Sequence, residues 1–186
     1  MDPKNYDRLI EIYEALEDYG YREVGQEYLQ NVLNTDKKLD AYDSGRIYYY
    51  LGDYQKAYLA LEEAKGKGGV DSYLYLGKAY AATGDYNYAS SVYSNYLSKQ
   101  GPDAEIYNQL GLCEMAKKDY QKALEAFQAG KQIEGNSLMQ TLSFNEIVAY
   151  EYLQDYQKAA VLLKAYLQNY PDDQAAIREQ QFLSTR

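Results

Sequence analysis

Gly84-Asp85-Tyr86, followed three residues later by Ala89, recurs along this chain at an interval typical of helical repeat arrays. Gly52-Asp53-Tyr54 with Ala57 repeats it fully, while Lys118-Asp119-Tyr120 with Ala123 and Gln154-Asp155-Tyr156 with Ala159 keep all but the glycine. The aspartates stand at 53, 85, 119 and 155, so successive copies are 32, 34 and 36 residues apart. Each copy encodes a helix, a tight corner and a second helix. A glycine such as Gly84 ends a helix cheaply in the left-handed conformation. The aspartate after it can accept a hydrogen bond from the first turn of the next helix and favours that helix's positive end. Small Gly77 and Ala89 let the two helices approach closely, with Tyr80, Tyr86 and Tyr93 expected to fill the space around them.

Read in order, the 186 residues give five helical pairs and a terminal helix. Asp2-Pro3 starts the first helix, and residues 3–36 form a degenerate pair without the Gly-Asp-Tyr corner. Residues 38–69, 70–102, 103–136 and 138–171 are the full repeats. Residues 172–185 form a capping helix, entered through Asp172-Asp173, whose Ala176, Ile177, Phe182 and Leu183 cover the open end. Lys65–Gly69 reads as a flexible inter-repeat loop. The expectation is one all-α domain over 1–186.

These residues resemble the tetratricopeptide repeat (TPR) family. The resemblance rests on Leu76-Gly77 with Tyr80, Ala89 and Tyr93, on Leu110-Gly111 with Ala123 and Phe127, and on Gly45 with Tyr48, Ala57, Leu61 and Ala64. Tyr150, Ala159, Leu163 and Pro171 carry it in the last repeat, where Ile147 replaces the glycine. Glu114 stands where a large aromatic is usual, and Tyr96 and Tyr166 stand where a small residue is common. The resemblance covers 38–171 well and 3–36 weakly. It implies a right-handed α-α superhelix, a TPR-like solenoid of four to five hairpins, whose concave surface is lined by the first helix of each pair and holds extended peptides.

Chemistry has little to work with. The chain has no histidine, the commonest acid–base group and metal ligand near neutral pH. Cys113, the single cysteine, lies two residues after Gly111 on a helix and reads as a small packed thiol. No metal motif or phosphate-binding loop is present, so the expectation is a protein that is not an enzyme and takes no cofactor. A net charge of −9 works against a nucleic-acid partner. No apolar run reaches membrane-span length, so no membrane insertion is expected. Met1-Asp2-Pro3-Lys4 is neither a secretory nor a lipoprotein signal, so the expectation leaves the compartment open: cytoplasmic as the chain stands, exported if an N-terminal signal has been trimmed.

Tyrosine is the anomaly of the composition: 25 Tyr against 3 Phe and no Trp. Carrying the family's groove positions over by spacing from each glycine selects Tyr42, Arg46, Tyr49, Tyr50, Lys78, Asn108 and Tyr152 as peptide-binding residues. Arg46 and Lys78 occupy equivalent places on adjacent repeats and are expected to lie near each other. In the sharp form of this reading, Tyr42, Tyr49 and Tyr50 supply flat contact area while the two cations hold a carboxylate or carbonyl. In the plain form the same tyrosines pack between helices and the cations are solvated. The acidic-tail clamp of the family's chaperone-binding members is not reproduced, because Tyr42, Gln109 and Glu105 occupy its places. The function read from the sequence is a non-catalytic interaction module or adaptor. The alternatives are a self-associating scaffold and a docking subunit of a larger exported or enzymatic system.

Overall fold

The structure, a computed structural model, describes residues 6–65 and 69–186. The expected Asp2-Pro3 helix start and most of the 65–69 loop lie outside the described residues. These form eleven helices in two compact units, 1–85 and 86–186. The first contains α1 (Tyr6–Asp18), α2 (Arg22–Thr35), α3 (Ala41–Tyr50), α4 (Tyr54–Ala64) and α5 (Gly69–Ala82). The second contains α6 (Tyr86–Gln100), α7 (Ala104–Ala116), α8 (Tyr120–Lys131), α9 (Met139–Tyr152), α10 (Tyr156–Asn169) and α11 (Gln174–Leu183).

The recurrent corner is a single backbone device. The amides of Asp53, Asp85, Asp119 and Asp155 donate to the carbonyls of Tyr48, Tyr80, Glu114 and Tyr150 at 2.9–3.0 Å, the six-to-one bond of a Schellman helix end. The residue before each aspartate is left-handed: Gly52 (φ 78°), Gly84 (φ 84°), Lys118 (φ 64°) and Gln154 (φ 64°). Three of the aspartates then cap the next helix, Asp53 accepting from the Lys56 amide, Asp119 from Lys122 and Asp155 from Lys158. The first hairpin makes the same turn without the signature. Gly20 has φ 82° and the Tyr21 amide donates to Leu16 at 2.7 Å, while Tyr21 caps nothing. Counting four residues on from each corner reaches Gly25 here and fully buried Ala57, Ala123 and Ala159 in later hairpins.

Within the first unit α1 packs on α2, α2 on α3, α3 on α4, and α5 on both α3 and α4. Leu9, Ile10, Tyr13, Leu29 and Ile47 form its core. Close approach is built in by glycine: a Cβ on Gly45 would stand 2.6 Å from Leu61, and one on Gly25 would stand 2.9 Å from the Tyr13 ring.

In the second unit α7 packs on α6 and α8, α8 on α9, α9 on α10 and α10 on α11. Gly111 is tighter still, since a Cβ there would lie 2.3 Å from Phe127. Glu114, in its unusual place, is buried and ion-paired with Lys117 at 2.6 Å, and Lys117 also donates to Ser90 Oγ at 3.0 Å. Buried Glu146 on α9 likewise accepts from Lys131 (2.6 Å) and Gln128 (2.8 Å) on α8. The terminal helix begins at Asp173, which accepts from the amides of Ala175 and Ala176 and from the Tyr166 hydroxyl at 2.5 Å. Ala176 and Leu183 close over Ile147, Leu163 and Tyr166. Phe182 does not join them. It stays 39% exposed, its ring against Tyr156 and under the Arg186 guanidinium.

Candidate functional site

Tyr42, Arg46 and Tyr49 fall at i, i+4 and i+7 on α3 and therefore share one stripe, with Tyr50 beside it. The first helices α1, α3 and α5 meet along this stripe. Arg46 Nη1 donates to Asp7 Oδ1 of α1 at 2.6 Å and lies 3.6 Å from Asp43. Its guanidinium carbon sits 5.0 Å from the Tyr42 ring centroid and 5.4 Å from that of Tyr75 on α5. Tyr50 donates to Glu14 of α1 at 2.5 Å and shares a 3.0 Å hydroxyl–hydroxyl hydrogen bond with Tyr75. Tyr75 also makes an edge contact with Tyr49, with centroids 5.7 Å apart, and Lys78 Nζ lies 5.6 Å from its centroid.

Arg46 and Lys78 thus address the same ring, Tyr75, which the sequence analysis passed over. The available signal was spacing: Tyr75 stands three residues before Lys78 and so shares its face of α5. Asp7 and Glu14 were also missed, because nothing local tells α1 carboxylates that their partners lie 39 and 36 residues on.

The electrostatics follow from partial burial. Burial opposes the charge on Arg46, but the hydrogen bond to Asp7 and the neighbouring Tyr42 outweigh it, and its pKa shifts upward. Burial, with Asp40 beside it, raises the Asp43 carboxyl to about 6. Tyr42, Tyr49 and Tyr50 are all raised, chiefly by burial, Tyr50 also by its bonds to Glu14 and Tyr75. The patch is therefore neutral phenol at physiological pH, with its carboxylates at the edge.

Arg46 is only 5% exposed, and the carboxylate it holds is the protein's own. The tyrosines are neither sealed in the core nor free: Tyr42, Tyr49, Tyr50 and Tyr75 are all partly buried. Asn108 and Tyr152 lie in the second unit. Asn108 is buried on α7, where its carbonyl oxygen accepts from the Asn145 amide at 2.9 Å. Tyr152 is 57% exposed at the end of α9 and stacks on Tyr120 at 4.9 Å.

Elsewhere the chemistry is sparse. Cys113 is buried, and burial pushes its thiol up to about 11. Among the described residues no group of three metal-binding side chains converges, and no helix is long and apolar enough to cross a membrane.

Comparison with known proteins agrees with the helical-repeat fold. Two family models, both described as tetratricopeptide repeat, match residues 74–137 and 144–173. None of the curated proteins searched matches the chain. Among solved structures, the chain is similar to a thermophilic TPR protein of Thermus thermophilus, at 15% identity and TM-score 0.72, covering 97% of this chain and 100% of that one. It is also similar to a tetratricopeptide repeat protein from Parabacteroides merdae, at 16% identity and TM-score 0.68, covering 96% and 72%. The Cut9–Hcn1 hetero-tetramer of the APC/C gives 18% identity and TM-score 0.64, over 97% of this chain and 40% of that one. These likenesses establish the TPR fold, a fold of interaction modules that are generally non-catalytic. By its repeat models and its fold, the chain belongs to the tetratricopeptide repeat family.

Proposed function

We propose that the protein is a non-catalytic interaction module that holds an extended segment of a partner protein against the first helices α1, α3 and α5. The observation that carries this reading is the continuous, partly exposed patch of Tyr42, Tyr49, Tyr50 and Tyr75. Tyrosine offers flat contact area at low entropic cost and is enriched where binding energy concentrates. Arg46 serves here as an internal prop: held by Asp7 and Asp43, it fixes the Tyr42 and Tyr75 rings. Lys78 stands at the patch edge. A similar fold occurs in the Cut9–Hcn1 assembly, which pairs Cut9 with a second protein.

The test is selection of random 12-residue displayed peptides on the immobilised protein, followed by anisotropy titration of the recovered, labelled peptides. Binding should fall at least tenfold in a Tyr42→Ala, Tyr75→Ala variant that keeps its helical circular dichroism. Recovered peptides that bind both proteins equally would refute the reading.

Self-association is a second reading, favoured by one observation. Tyr21, Val24 and Tyr28 are 60%, 56% and 39% exposed on one side of α2, beside Tyr19 at 81%. Sedimentation at increasing concentration decides it. A strict monomer removes it, and a dimer that Val24→Asp dissociates supports it.

A further inference from the structure

The tyrosine patch has an unequal rim, and the inequality identifies its partner's chemistry. Asp7 and Glu14 reach across from α1 to α3, and Glu11 completes their stripe at i, i+4 and i+7. All three are exposed, Asp7 with 78% of its side chain in solvent. On α5, exposed Asp71 acts electrostatically on Tyr42. The cations are fewer and mostly committed. Arg46 is 5% exposed and ion-paired with Asp7 and Asp43. Lys78 lies against the Tyr75 ring. Arg8, exposed on α1, stands three residues before Glu11 and borders the stripe. With Asp7 and Arg46 set against each other as a pair, Glu11, Glu14 and Asp71 still outnumber exposed Arg8 and half-buried Lys78 around the aromatic surface, in a chain of net charge −9.

We infer that the segment held on this face is basic: its Arg or Lys side chains pair with Asp7, Glu11, Glu14 and Asp71 while their methylene stems and neighbouring apolar residues lie on Tyr50 and Tyr75. This rests on the segment-binding function proposed above and reverses the charge expected from Arg46 and Lys78 in the sequence. Long cationic side chains suit such a surface, because the stem covers apolar area while the head reaches the rim. A cation over a tyrosine face adds a further attraction, as Arg46 already does within the patch. An acidic segment would instead bring like charges to the rim, which disfavours it.

The selected 12-residue peptides supply the test. Lys and Arg should be enriched over the input library, and the strongest labelled peptide should weaken steeply between about 0.05 and 0.5 M salt. Glu11→Gln, Glu14→Gln, Asp71→Asn changes three rim charges, leaves Asp7 paired to Arg46 and leaves Tyr50 an acceptor. It should weaken that peptide about tenfold, at a factor of a few per exposed pair. Enrichment of Asp and Glu, with loss of binding in Lys78→Glu, would overturn the basic partner while leaving segment binding intact. Unchanged affinity in the triple variant would overturn it too. If no peptide separates wild type from Tyr42→Ala, Tyr75→Ala, the underlying reading falls as well.

Discussion

Gly111→Ala sets two effects against each other with opposite signs. In an exposed helix interior, alanine in place of glycine stabilises by about 1 kcal/mol, through backbone entropy. At Gly111 the new Cβ would stand 2.3, 2.6 and 2.7 Å from three carbons of the Phe127 ring, against an ordinary contact of 3.4–4 Å. Phe127 is 0% exposed, so the ring has no solvent to move into. Either the ring leaves its rotamer or α7 and α8 part by about 1 Å, and overpacking of this kind costs about 3 kcal/mol at the upper end of its usual range. The net is a destabilisation of about 2 kcal/mol. For a chain of this length each kcal/mol moves Tm by roughly 2–4 °C, so a fall of roughly 4–8 °C is expected. Thermal and urea unfolding followed by circular dichroism read it. Phe127→Leu in the same chain should recover part of the loss, with a coupling of about 1 kcal/mol or more between the two sites. A Gly111→Ala variant as stable as wild type, or more so, would refute the argument that close helix approach is why glycine stands there.

Three further expectations follow from other sites. Lys118→Gly and Gln154→Gly relieve a left-handed backbone at φ 64°, worth about 1–2 kcal/mol, and return part of it as unfolded-chain entropy. Each should raise the unfolding free energy by a net of roughly 0.5 kcal/mol, read as a higher urea midpoint, where the same change at exposed Lys122 in α8 should lower it. Burial, then the neighbouring Glu179, pushes the Glu151 carboxyl from 4.5 up to about 7. A carboxyl raised in the folded state stabilises while protonated, so its contribution is present below about pH 4.5 and is lost as pH rises through 7. Glu151→Gln should flatten the decline in urea midpoint between pH 5 and 7.5, and an unchanged slope would remove Glu151 as its source. The Cys113 thiol, buried and raised to about 11, should react with a thiol reagent at pH 8 only at the rate of unfolding. Prompt reaction in the native protein would contradict its burial.

The sequence by itself determined the helices and their corners. A Schellman turn needs a residue tolerant of positive φ and a small polar cap immediately after it, and both requirements are met within a few neighbouring residues. That is why Gly52-Asp53 and Gly84-Asp85 could be read directly, and why Asp119 and Asp155 kept the corner legible where Lys118 and Gln154 had replaced glycine. The first hairpin was harder. Gly20 makes the turn, but Tyr21 stands where the cap should be and Gly25 where the small alanine should be, so the phase survives in the backbone and not in the signature.

Only tertiary structure decided the character of the site. Arg46 reads as an exposed cation seeking a carboxylate, and finds one 39 residues away in Asp7. Tyr75 reads as one tyrosine among 25, and becomes the ring that α3 and α5 share. Asn108 reads as a groove residue, and its carbonyl is taken by Asn145. In each case the partner is remote in sequence. Backbone conformation is set by near neighbours, whereas the satisfaction of a charge, a hydroxyl or an amide depends on which helices the packing brings alongside.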